Sequence, residues 1–276
     1  MANKILRNDI SPVKPLLKWA GGKRWFVTSH GNLLPKRFNR YIEPFLGSGA
    51  VFFYLRPTKA ILGDSNSELI DTYLAIKQNW RLVYRYLKEH HRMHSREYYY
   101  RMRSFKPISL ASRAARFIYL NRTCWNGLYR VNQAGDFNVP IGTKSSVIFE
   151  EDSFDKVSES LQGATLHSCD FEKLMDMAGE GDFVFADPPY TVRHNNNSFI
   201  KYNEKLFSWL DQERLATSLK RAKDRGAQIL VTNACNQSVR ELYEADFQTL
   251  AVSRNSLISS RVETRKKCEE LVIFTE

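Results

Sequence analysis

The sequence predicts an α/β fold in which one sheet is interrupted by a basic, mostly helical insertion. Short apolar runs typical of buried strands alternate with segments of helical spacing at both ends of the chain. Between these regions, residues 77–130 have helical spacing and are rich in basic and aromatic side chains. Alternation at both ends with one helical segment between them is typical of a sheet that carries an inserted domain.

The N-terminal alternation begins with a strand that leads into a loop containing two glycines. The predicted elements are a strand over 40–45, a helix over 50–55 and a strand over 59–64. Ser65 or Asn66 can cap the next helix, because a side-chain oxygen there accepts a hydrogen bond from a first-turn N–H group. The buried face of that helix has apolar residues at helical spacing: Leu69, Ile70, Tyr73 and Ile76.

The central segment carries most of the charge. The chain has a net charge of +11 and a pI of about 9.5, which favours a polyanionic partner. Residues 77–130 contain thirteen Lys and Arg against two acids, so this segment accounts for the whole excess. A solvated helix face is the ordinary explanation of such a run. Its concentration here favours a phosphate-binding surface. His90, His91 and His94 could form a ligand cluster, but no set of acids or cysteines lies nearby in the sequence, so we assign them to the same surface.

The insertion is predicted to end in a hairpin, after which strands and helices alternate again. A helix is predicted over 113–120, and a turn at 133–136 separates extended segments at 129–131 and 137–140. The remaining predicted elements are strands over 164–167, 182–186, 228–232 and 271–275, with a helix over 210–225 that Gly226 closes.

Composition excludes several classes of protein. A chain of 276 residues with 43% hydrophobic and 26% charged residues is typical of a globular protein. No apolar run approaches the roughly 18 residues of a membrane span, and the N-terminus lacks the apolar core of a secretory signal. The cysteines are scattered without a CxxC pair, so no metal site or disulfide framework is predicted and a reducing cytoplasm is expected.

The tetrapeptide Asp187-Pro188-Pro189-Tyr190 is the strongest functional signal, and it follows the apolar run 183–186. The prolines fix the backbone and remove two N–H donors, which leaves an aspartate oxygen and a bare carbonyl next to an aromatic ring. Such a group can accept both hydrogens of an exocyclic amine and stack on the ring that carries it, as adenine N6 requires. The alternative is an ordinary strand-to-loop turn.

A second group of residues is typical of a crevice that binds a nucleoside. The loop 46–49 follows a strand and precedes a helix, so its glycines allow a ligand to approach the backbone closely. Asp64 ends the next strand, where a carboxylate can hold ribose hydroxyls. A tight turn and a helix cap are the alternatives for these two features. Their order along the chain, followed by the acidic tetrapeptide, favours a ligand site.

Two further stretches have the side chains that such a ligand needs. Residues 17–23 combine Trp19, two glycines and Lys23, whose ammonium group could reach a carboxylate; a basic loop is the alternative. After a predicted strand, Asp170 offers an acceptor for an adenine amine and Phe171 offers a ring. A helix cap and a core phenylalanine are the alternatives for this pair.

Together these residues resemble the Dam-type (D12 class) DNA adenine-N6 methyltransferases. The matching segments occur in the family's order and cover residues 17 to about 190: 18–23, 43–49, 63–64, 121–122, 126–132, 137–140 and 187–190. The resemblance implies a Rossmann-like methyltransferase sheet with an inserted target-recognition domain that carries a β-hairpin. It also implies transfer of a methyl group from S-adenosylmethionine (SAM) to adenine N6, with S-adenosylhomocysteine as product and no metal.

The resemblance assigns roles to individual residues. The catalytic residues would be Asp187, Pro188, Pro189 and Tyr190. The cofactor would lie against Trp19, Ala20, Gly21, Lys23, Phe45, Gly47, Ser48, Gly49, Asp64, Asp170, Phe171 and Asp187. The residues expected to contact DNA are Lys18, Arg101, Arg103, Arg122, Trp125, Asn126, Leu128, Arg130, Asn138 and Pro140.

The expected partner is double-stranded DNA, bound by a monomer in a bacterial nucleoid or a phage-infected cell, without a membrane. Residues 1–70 and 150–276 would form the catalytic domain and residues 71–149 the recognition domain. Within the latter, Arg130 would read a guanine and Trp125 would wedge into the base stack, while Lys18 would also touch a base. Relatives of this type commonly act on GATC.

Two segments depart from the pattern of GATC enzymes. Residues 143–146 read Thr-Lys-Ser-Ser where an Arg-Tyr-Lys run is common, and residues 191–197 replace a Pro-Leu-Ser type of stretch. The first departure lies beside the predicted hairpin and the second follows the catalytic tetrapeptide. The expected site is therefore GATC or a related short sequence.

Three other classes compete with this interpretation. An RNA adenine-N6 methyltransferase could use the same tetrapeptide, because flipping and stacking serve RNA too; the match over 126–140 favours duplex DNA. A DNA-binding regulator that only senses SAM would not need an intact 187–190 motif. A nicotinamide oxidoreductase is disfavoured by the missing GxGxxG sequence and by the basic insertion.

Overall fold

The computed structural model describes residues 3–4, 12–132, 134–191, 207–254 and 268–276. Its helices are α1 (Arg24–His30), α2 (Ala50–Leu55), α3 (Ser67–Met93), α4 (Arg96–Ser104), α5 (Leu110–Thr123), α6 (Phe154–Leu161), α7 (Phe171–Met175), α8 (Trp209–Asp224) and α9 (Gln237–Tyr243). Its strands are β1 (Asn3–Lys4), β2 (Arg37–Phe38), β3 (Tyr41–Glu43), β4 (Ala60–Asp64), β5 (Ala164–Ser168), β6 (Phe183–Ala186), β7 (Gln228–Ala234), β8 (Gln248–Arg254) and β9 (Cys268–Phe274). Gly31–Leu33 and Trp125–Gly127 form 3-10 turns.

The main sheet is mostly parallel and has the strand order β5-β4-β3-β6-β7-β9-β8. Strand β9 runs antiparallel to both of its neighbours, β7 and β8. The chain divides into two compact units: Met1–Lys4, Asn32–Phe45 and Asp170–Glu276 form the first, and Ile5–Gly31 and Leu46–Cys169 form the second. The predicted α/β class is thereby confirmed, while the recognition domain at 71–149 stays a prediction.

In the first unit the core is built on β3, β6 and β7. Tyr41 of β3 pairs with Phe183 of β6, and both side chains are buried. Every residue of β6 is buried, as expected for a parallel strand that is covered on both faces. Helix α8 begins with a capping box, in which Ser208 and Asp211 satisfy each other's backbone N–H groups.

In the second unit, β4 pairs in parallel with β5, and the long helix α3 packs against α5 and α6. Asn66 caps α3 by accepting a hydrogen bond from the N–H of Leu69, which confirms one of the two predicted caps. Asn79 has non-helical backbone angles inside α3, and its side chain accepts a hydrogen bond from the N–H of Leu82. The helix is therefore kinked at Asn79, which caps its second half.

In the region of the predicted hairpin, one isolated antiparallel bridge joins Val131 and Phe137, and the hairpin itself stays a prediction. The N–H of Asn132 donates to the carbonyl of Asp136 at 2.9 Å. Residue 133 in its turn, like residues 192–197 of the second departure, lies outside the described residues. Several described elements were not predicted from the sequence, among them the helices α1, α6 and α9 and the strands β1, β2 and β8.

The assignment of the histidines to the basic surface is wrong for His90. Its ring stacks on Tyr119 and its Nδ1 atom lies 2.7 Å from the Tyr98 hydroxyl. Burial, and the nearby positive charge of Arg116, lower the pKa of His90 to about 4. His90 is therefore neutral near pH 7 and belongs to an aromatic cluster between α3, α4 and α5.

Candidate active site

Asp187 follows the last residue of β6, at the carboxyl end of a fully buried strand. This position is where parallel sheets bind ligands, because strand ends there are followed by loops. The Thr232 hydroxyl of β7 donates to Asp187 Oδ1 at 2.8 Å and fixes the orientation of the carboxylate. Pro188 is buried and Pro189 is partly exposed, so the turn after β6 leaves little backbone freedom.

The Tyr190 hydroxyl donates to Glu270 Oε2 at 2.7 Å. Glu270 lies on β9 and is only 7% exposed. Burial, followed by the negative charges of Asp187 and Glu270, raises the pKa of Tyr190 well above its usual value. The hydroxyl therefore stays protonated and remains a donor. Sequence reasoning missed both Thr232 and Glu270.

Asp170 and Phe171 make the local contacts of a helix cap and a core side chain. Asp170 accepts a hydrogen bond from the N–H of Glu172 and forms an ion pair with Arg214 at 2.9 Å. Phe171 is buried, with its ring 5.4 Å from that of Phe45 and stacked at 28°. Asp170 therefore caps a helix and Phe171 is a core side chain. Contact with a cofactor stays a prediction for Asp170, Phe171 and Phe45.

In the second unit, the loop before α2 depends on glycine. Gly47 and Gly49 have φ angles of 47° and 67°, in the left-handed region that favours glycine. A Cβ atom on Gly47 would lie 2.7 Å from Cδ1 of Trp19, so the indole ring packs directly on the loop backbone. Ser48, between the two glycines, is buried.

Asp64 ties this loop to the end of β4. Its Oδ2 accepts the N–H of Gly47 at 3.0 Å, and its Oδ1 accepts the N–H of Asn66 at 3.0 Å. Burial raises the pKa of Asp64, while these backbone donors oppose the shift. Each carboxylate oxygen can accept a second hydrogen bond, so the residue keeps the capacity to hold ribose hydroxyls.

Lys23 lies at the start of α1 and is only 3% exposed. Its Nζ donates to the carbonyl of Gly21 at 2.9 Å, which folds the loop back on itself. Gly21 has a φ of 74° and open space where a side chain would stand, next to the exposed Ala20. A ligand carboxylate at this loop would place an opposite charge next to the buried ammonium group. The polar groups of this unit, a cationic donor and a strand-end carboxylate acceptor, fit an amino-acid nucleoside such as SAM.

Trp125 is 52% exposed at the start of a tight turn. The backbone N–H of Trp125 donates to the carbonyl of Pro140 at 2.9 Å, and the backbone N–H of Leu128 donates to the carbonyl of Trp125 at 3.2 Å. Asn126 and Gly127 both have positive φ angles, 55° and 66°. The backbone is therefore fixed while the indole ring faces solvent, as a side chain that contacts bases requires.

Arg130 lies on the predicted hairpin and is held by Asn138. Arg130 Nε donates to Asn138 Oδ1 at 3.0 Å, and the N–H of Asn138 donates to the carbonyl of Arg130 at 3.2 Å. Within the part of the chain that the structure describes, no partner is found for the two Nη groups of Arg130. The guanidinium is thus oriented through one nitrogen, with its bidentate edge available.

Arg122 is the predicted DNA contact that the structure buries. It is 2% exposed and forms two hydrogen bonds with Asp152, at 2.6 and 2.7 Å. Its remaining donors reach the carbonyls of Leu16 and Val147. With this geometry the side chain joins three segments of the second unit, which argues against contact with DNA.

The other basic residues expected at DNA lie on the surface. The guanidinium of Arg101 stacks over Tyr98 at 5.0 Å and that of Arg103 over Tyr100 at 4.8 Å. Lys18 is exposed, and its pKa is lowered by partial burial and by the neighbouring cation Lys144. Two cations this close favour an anionic partner between them.

Comparisons with known proteins identify the family. The profile of the D12 class N6 adenine-specific DNA methyltransferases matches residues 19–258. The chain is 36% identical over 280 residues to Type II methyltransferase M1.LlaDCHI of Lactococcus lactis subsp. cremoris, with 98% of each chain covered. It is 33% identical to the DNA adenine methylase of Haemophilus influenzae, covering 94% of this chain and 92% of the relative. It is also 33% identical to the DNA adenine methylase of Escherichia coli K12, covering 94% of each.

The chain belongs to the D12 class N6 adenine-specific DNA methyltransferase family. Its activity is methylation of adenine in DNA, and methyltransferases of this kind use SAM as the methyl donor. Family membership decides against the RNA alternative. Among the described residues, no helix is long and apolar enough to cross a membrane, and no three potential metal ligands cluster.

Proposed function

We propose that this protein methylates N6 of an adenine flipped out of duplex DNA, at GATC or a related short site, and that Asp187 and Tyr190 act directly on the base. The observation that carries the proposal is the Asp187 carboxylate, which ends a buried parallel strand and is oriented by Thr232. This carboxylate and the adjacent prolines supply acceptors without competing donors.

The target atom lies inside a duplex, so the adenine must leave the stack at a cost of a few kcal/mol. Tyr190 stacks on the extruded ring, an interaction worth roughly 1–3 kcal/mol. Asp187 and the carbonyl of Pro188 accept the two N6 hydrogens, which draws electron density to N6 and directs its lone pair away from the acceptors. The gain comes from proximity and from fixed acceptors in a partly buried site.

When bound, SAM supplies an electrophilic methyl group. In the second unit, Lys23 would pair with its carboxylate and Asp64 with its ribose hydroxyls. The backbone at 47–49 and the Trp19 ring would lie against its apolar surfaces. In the first unit, Asp170 and Phe171 remain candidates for the adenine end. No described residue is assigned to a metal.

Arg130 is proposed to read one guanine with its free edge, a contact worth roughly 1–3 kcal/mol against a wrong base. Trp125 is proposed to enter the base stack, with Lys18 contacting a base nearby. Arg101 and Arg103 would contact phosphates, which gives affinity without sequence information. For Arg122 we propose a structural role in place of the expected DNA contact. The enzyme is proposed to act as a monomer, in the cytoplasm where host or phage DNA is accessible.

The test is transfer of a labelled methyl group from SAM to unmethylated duplex DNA, followed by single-molecule mapping of modified adenines. The expected result is label at one short motif, GATC or a close relative, with unmethylated RNA of matched length as the control. Label spread over adenines in many contexts would contradict the proposed readout by Arg130. Label at cytosine, or in RNA alone, would contradict the proposed roles of Asp187 and Tyr190 in flipped DNA adenine.

A further inference from the structure

Glu270 reaches the catalytic edge of the first unit because β9 runs against its neighbours. In a parallel sheet the carboxyl ends of strands carry the site, and the start of an antiparallel strand lies at that same edge. Glu270 is near the beginning of β9 and pairs with Ala234 at the carboxyl end of β7. It is a buried acid, 7% exposed, that the proposed mechanism does not use.

The sheet register places Glu270 and Thr232 on one face. Thr232 and Ala234 are two residues apart on β7, so their side chains point to the same side of the sheet. Glu270 lies directly opposite Ala234, and residues opposite each other in an antiparallel pair share a face. Glu270 and Thr232 are therefore diagonal neighbours, and both contact the catalytic tetrapeptide. Glu270 accepts a hydrogen bond from Tyr190, while Thr232 donates to Asp187 and also interacts with the Tyr190 hydroxyl.

Tyr190 is held on two sides. Its hydroxyl donates to Glu270 at 2.7 Å, and the next residue, Thr191, is buried and donates from its own hydroxyl to the carbonyl of Phe207 at 2.6 Å. Backbone and ring tip are thus both fixed. A ring that must present its face to an incoming base gains from such restraint, because less freedom is lost when the base stacks.

We infer that Glu270 is a positioning residue. It accepts a hydrogen bond from the Tyr190 hydroxyl and so fixes the orientation of the ring on which the extruded adenine stacks. The inference rests on the proposed function of Tyr190. A carboxylate suits this role better than a neutral acceptor of the same size would, because charge-assisted hydrogen bonds are shorter and stronger. The raised pKa of Tyr190 keeps its proton available to Glu270.

The test compares Glu270→Ala, Glu270→Gln, Tyr190→Phe and the double variant Glu270→Ala with Tyr190→Phe. Two readouts are used: the rate of methyl transfer to the mapped site, and the fluorescence of 2-aminopurine at the target position, which reports the unstacked base. Loss of a hydrogen bond to a charged group predicts a fall in kcat/KM of about 10- to 100-fold for Glu270→Ala. Tyr190→Phe should fall similarly, and Glu270→Gln should retain most activity, since its amide oxygen still accepts.

The double variant decides whether Glu270 acts through Tyr190. If it does, the double variant is no worse than the more damaged single variant, and both singles alter the 2-aminopurine signal. Additive losses, an unaltered fluorescence signal, or equal damage from Gln and Ala would overturn the inference. If Glu270→Ala does not fold, the Tyr190→Phe variant tests the inference by itself. Methyl transfer by Tyr190→Phe at the wild-type rate would then overturn the inference. Failure of the wild-type protein to methylate DNA adenine would instead overturn the proposed function.

Discussion

At the scale of single residues, each of the two proposed base-contacting side chains is held by a hydrogen bond to a neighbouring strand. Thr232 orients Asp187, and Glu270 restrains Tyr190. An aspartate without its donor can rotate, and one of the two N6 hydrogens then loses its fixed acceptor. Catalytic geometry of this kind is sensitive to small displacements.

Replacing Thr232 by Val keeps the shape of the side chain and removes the hydroxyl. We expect the single-turnover rate of methyl transfer to fall by about tenfold, the effect of one hydrogen bond to a charged group. Thr232→Ser is the matched control, because it keeps the donor, and it should stay near the wild-type rate. Equal rates for Thr232→Val and wild type would show that Asp187 does not need this contact.

Sequence readout is proposed to depend on Arg130 and on the side chain that holds it. Arg130→Ala should lower discrimination at one base pair by roughly 1–3 kcal/mol in kcat/KM. Asn138→Ala should do the same more weakly, because Asn138 accepts from Arg130 Nε. The measurement is methylation of a panel of duplexes with single substitutions in the mapped site.

Arg101→Ala provides the contrast for this panel. Arg101 stacks on Tyr98 on the surface, and its proposed phosphate contact does not depend on the base sequence. The Arg101→Ala substitution should therefore weaken methylation of every duplex by the same factor. If Arg130→Ala also lowered all duplexes equally, its assignment to guanine would have to be abandoned.

At the scale of elements, the Arg122–Asp152 pair joins the end of α5 to the segment before α6. Both side chains are buried, at 1% and 7% exposure. Arg122→Ala leaves a buried carboxylate without its partner, which costs about 3–5 kcal/mol of unfolding free energy. Arg101→Ala, on the surface, should change stability by less than about 0.5 kcal/mol. Denaturant titration measures both, and equal midpoints would contradict the structural role of Arg122.

The aromatic cluster around His90 makes stability depend on pH. His90 faces Tyr98 of α4, Tyr119 of α5 and the charge of Arg116, and its pKa is lowered to about 4. The unfolded chain therefore binds the proton first as pH falls. The stability contributed by the neutral ring is complete above about pH 6.5 and is lost progressively down to about pH 4.

The His90 prediction is tested with His90→Gln, which removes this titration. The free energy of unfolding should fall less steeply between about pH 7 and pH 5 in the variant than in wild type. His91→Gln is the matched control, since His91 is the exposed neighbour on the same helix. An unchanged slope in His90→Gln would mean that the ring is not held neutral in the folded state.

The sequence predicted the elements whose pattern is local. The helix at 50–55, the Asn66 cap and the apolar β6 follow from spacing, capping chemistry and burial, and all are confirmed. The basic helices were recognised by composition, but composition did not separate Arg122 from its exposed neighbours. Its burial follows from Asp152, thirty residues away, and no local pattern contains that pairing.

Glu270 was missed for a similar reason. The sequence predicts the last strand over 271–275, so Glu270 lies before its start, whereas a parallel sheet brings together acids at the carboxyl ends of strands. Because β9 is antiparallel, its beginning lies at the catalytic edge instead. Strand direction is a property of the whole sheet, and a single strand's sequence does not contain it.

At the scale of the whole molecule, the net charge of +11 is concentrated in the helices between residues 77 and 130. Part of this charge is used internally, as the buried Arg116 and Arg122 show. The rest should bind phosphates, and affinity for DNA should fall as salt rises. Each lost contact should reduce the slope of log K against log[salt] by about 0.9.

The salt dependence can be assigned to residues. The double variant Arg101→Ala with Arg103→Ala should reduce the slope by about 1.8, since two phosphate contacts are removed. Filter binding over a range of salt concentrations measures it, with Arg130→Ala as a control that should leave the slope nearly unchanged. A double variant with the wild-type slope would place the phosphate contacts elsewhere.

The central claim is that Asp187, at the end of β6, acts on adenine N6. The most direct measurement is the mass-spectrometric yield of N6-methyladenine in duplex DNA after reaction with wild type and with Asp187→Asn, alongside DNA binding. Asp187→Asn keeps the shape but loses the charge. Wild type should produce N6-methyladenine, and the variant should give a yield at least about 100-fold lower with unchanged DNA binding. A variant that methylates adenine at the wild-type rate would contradict the central claim.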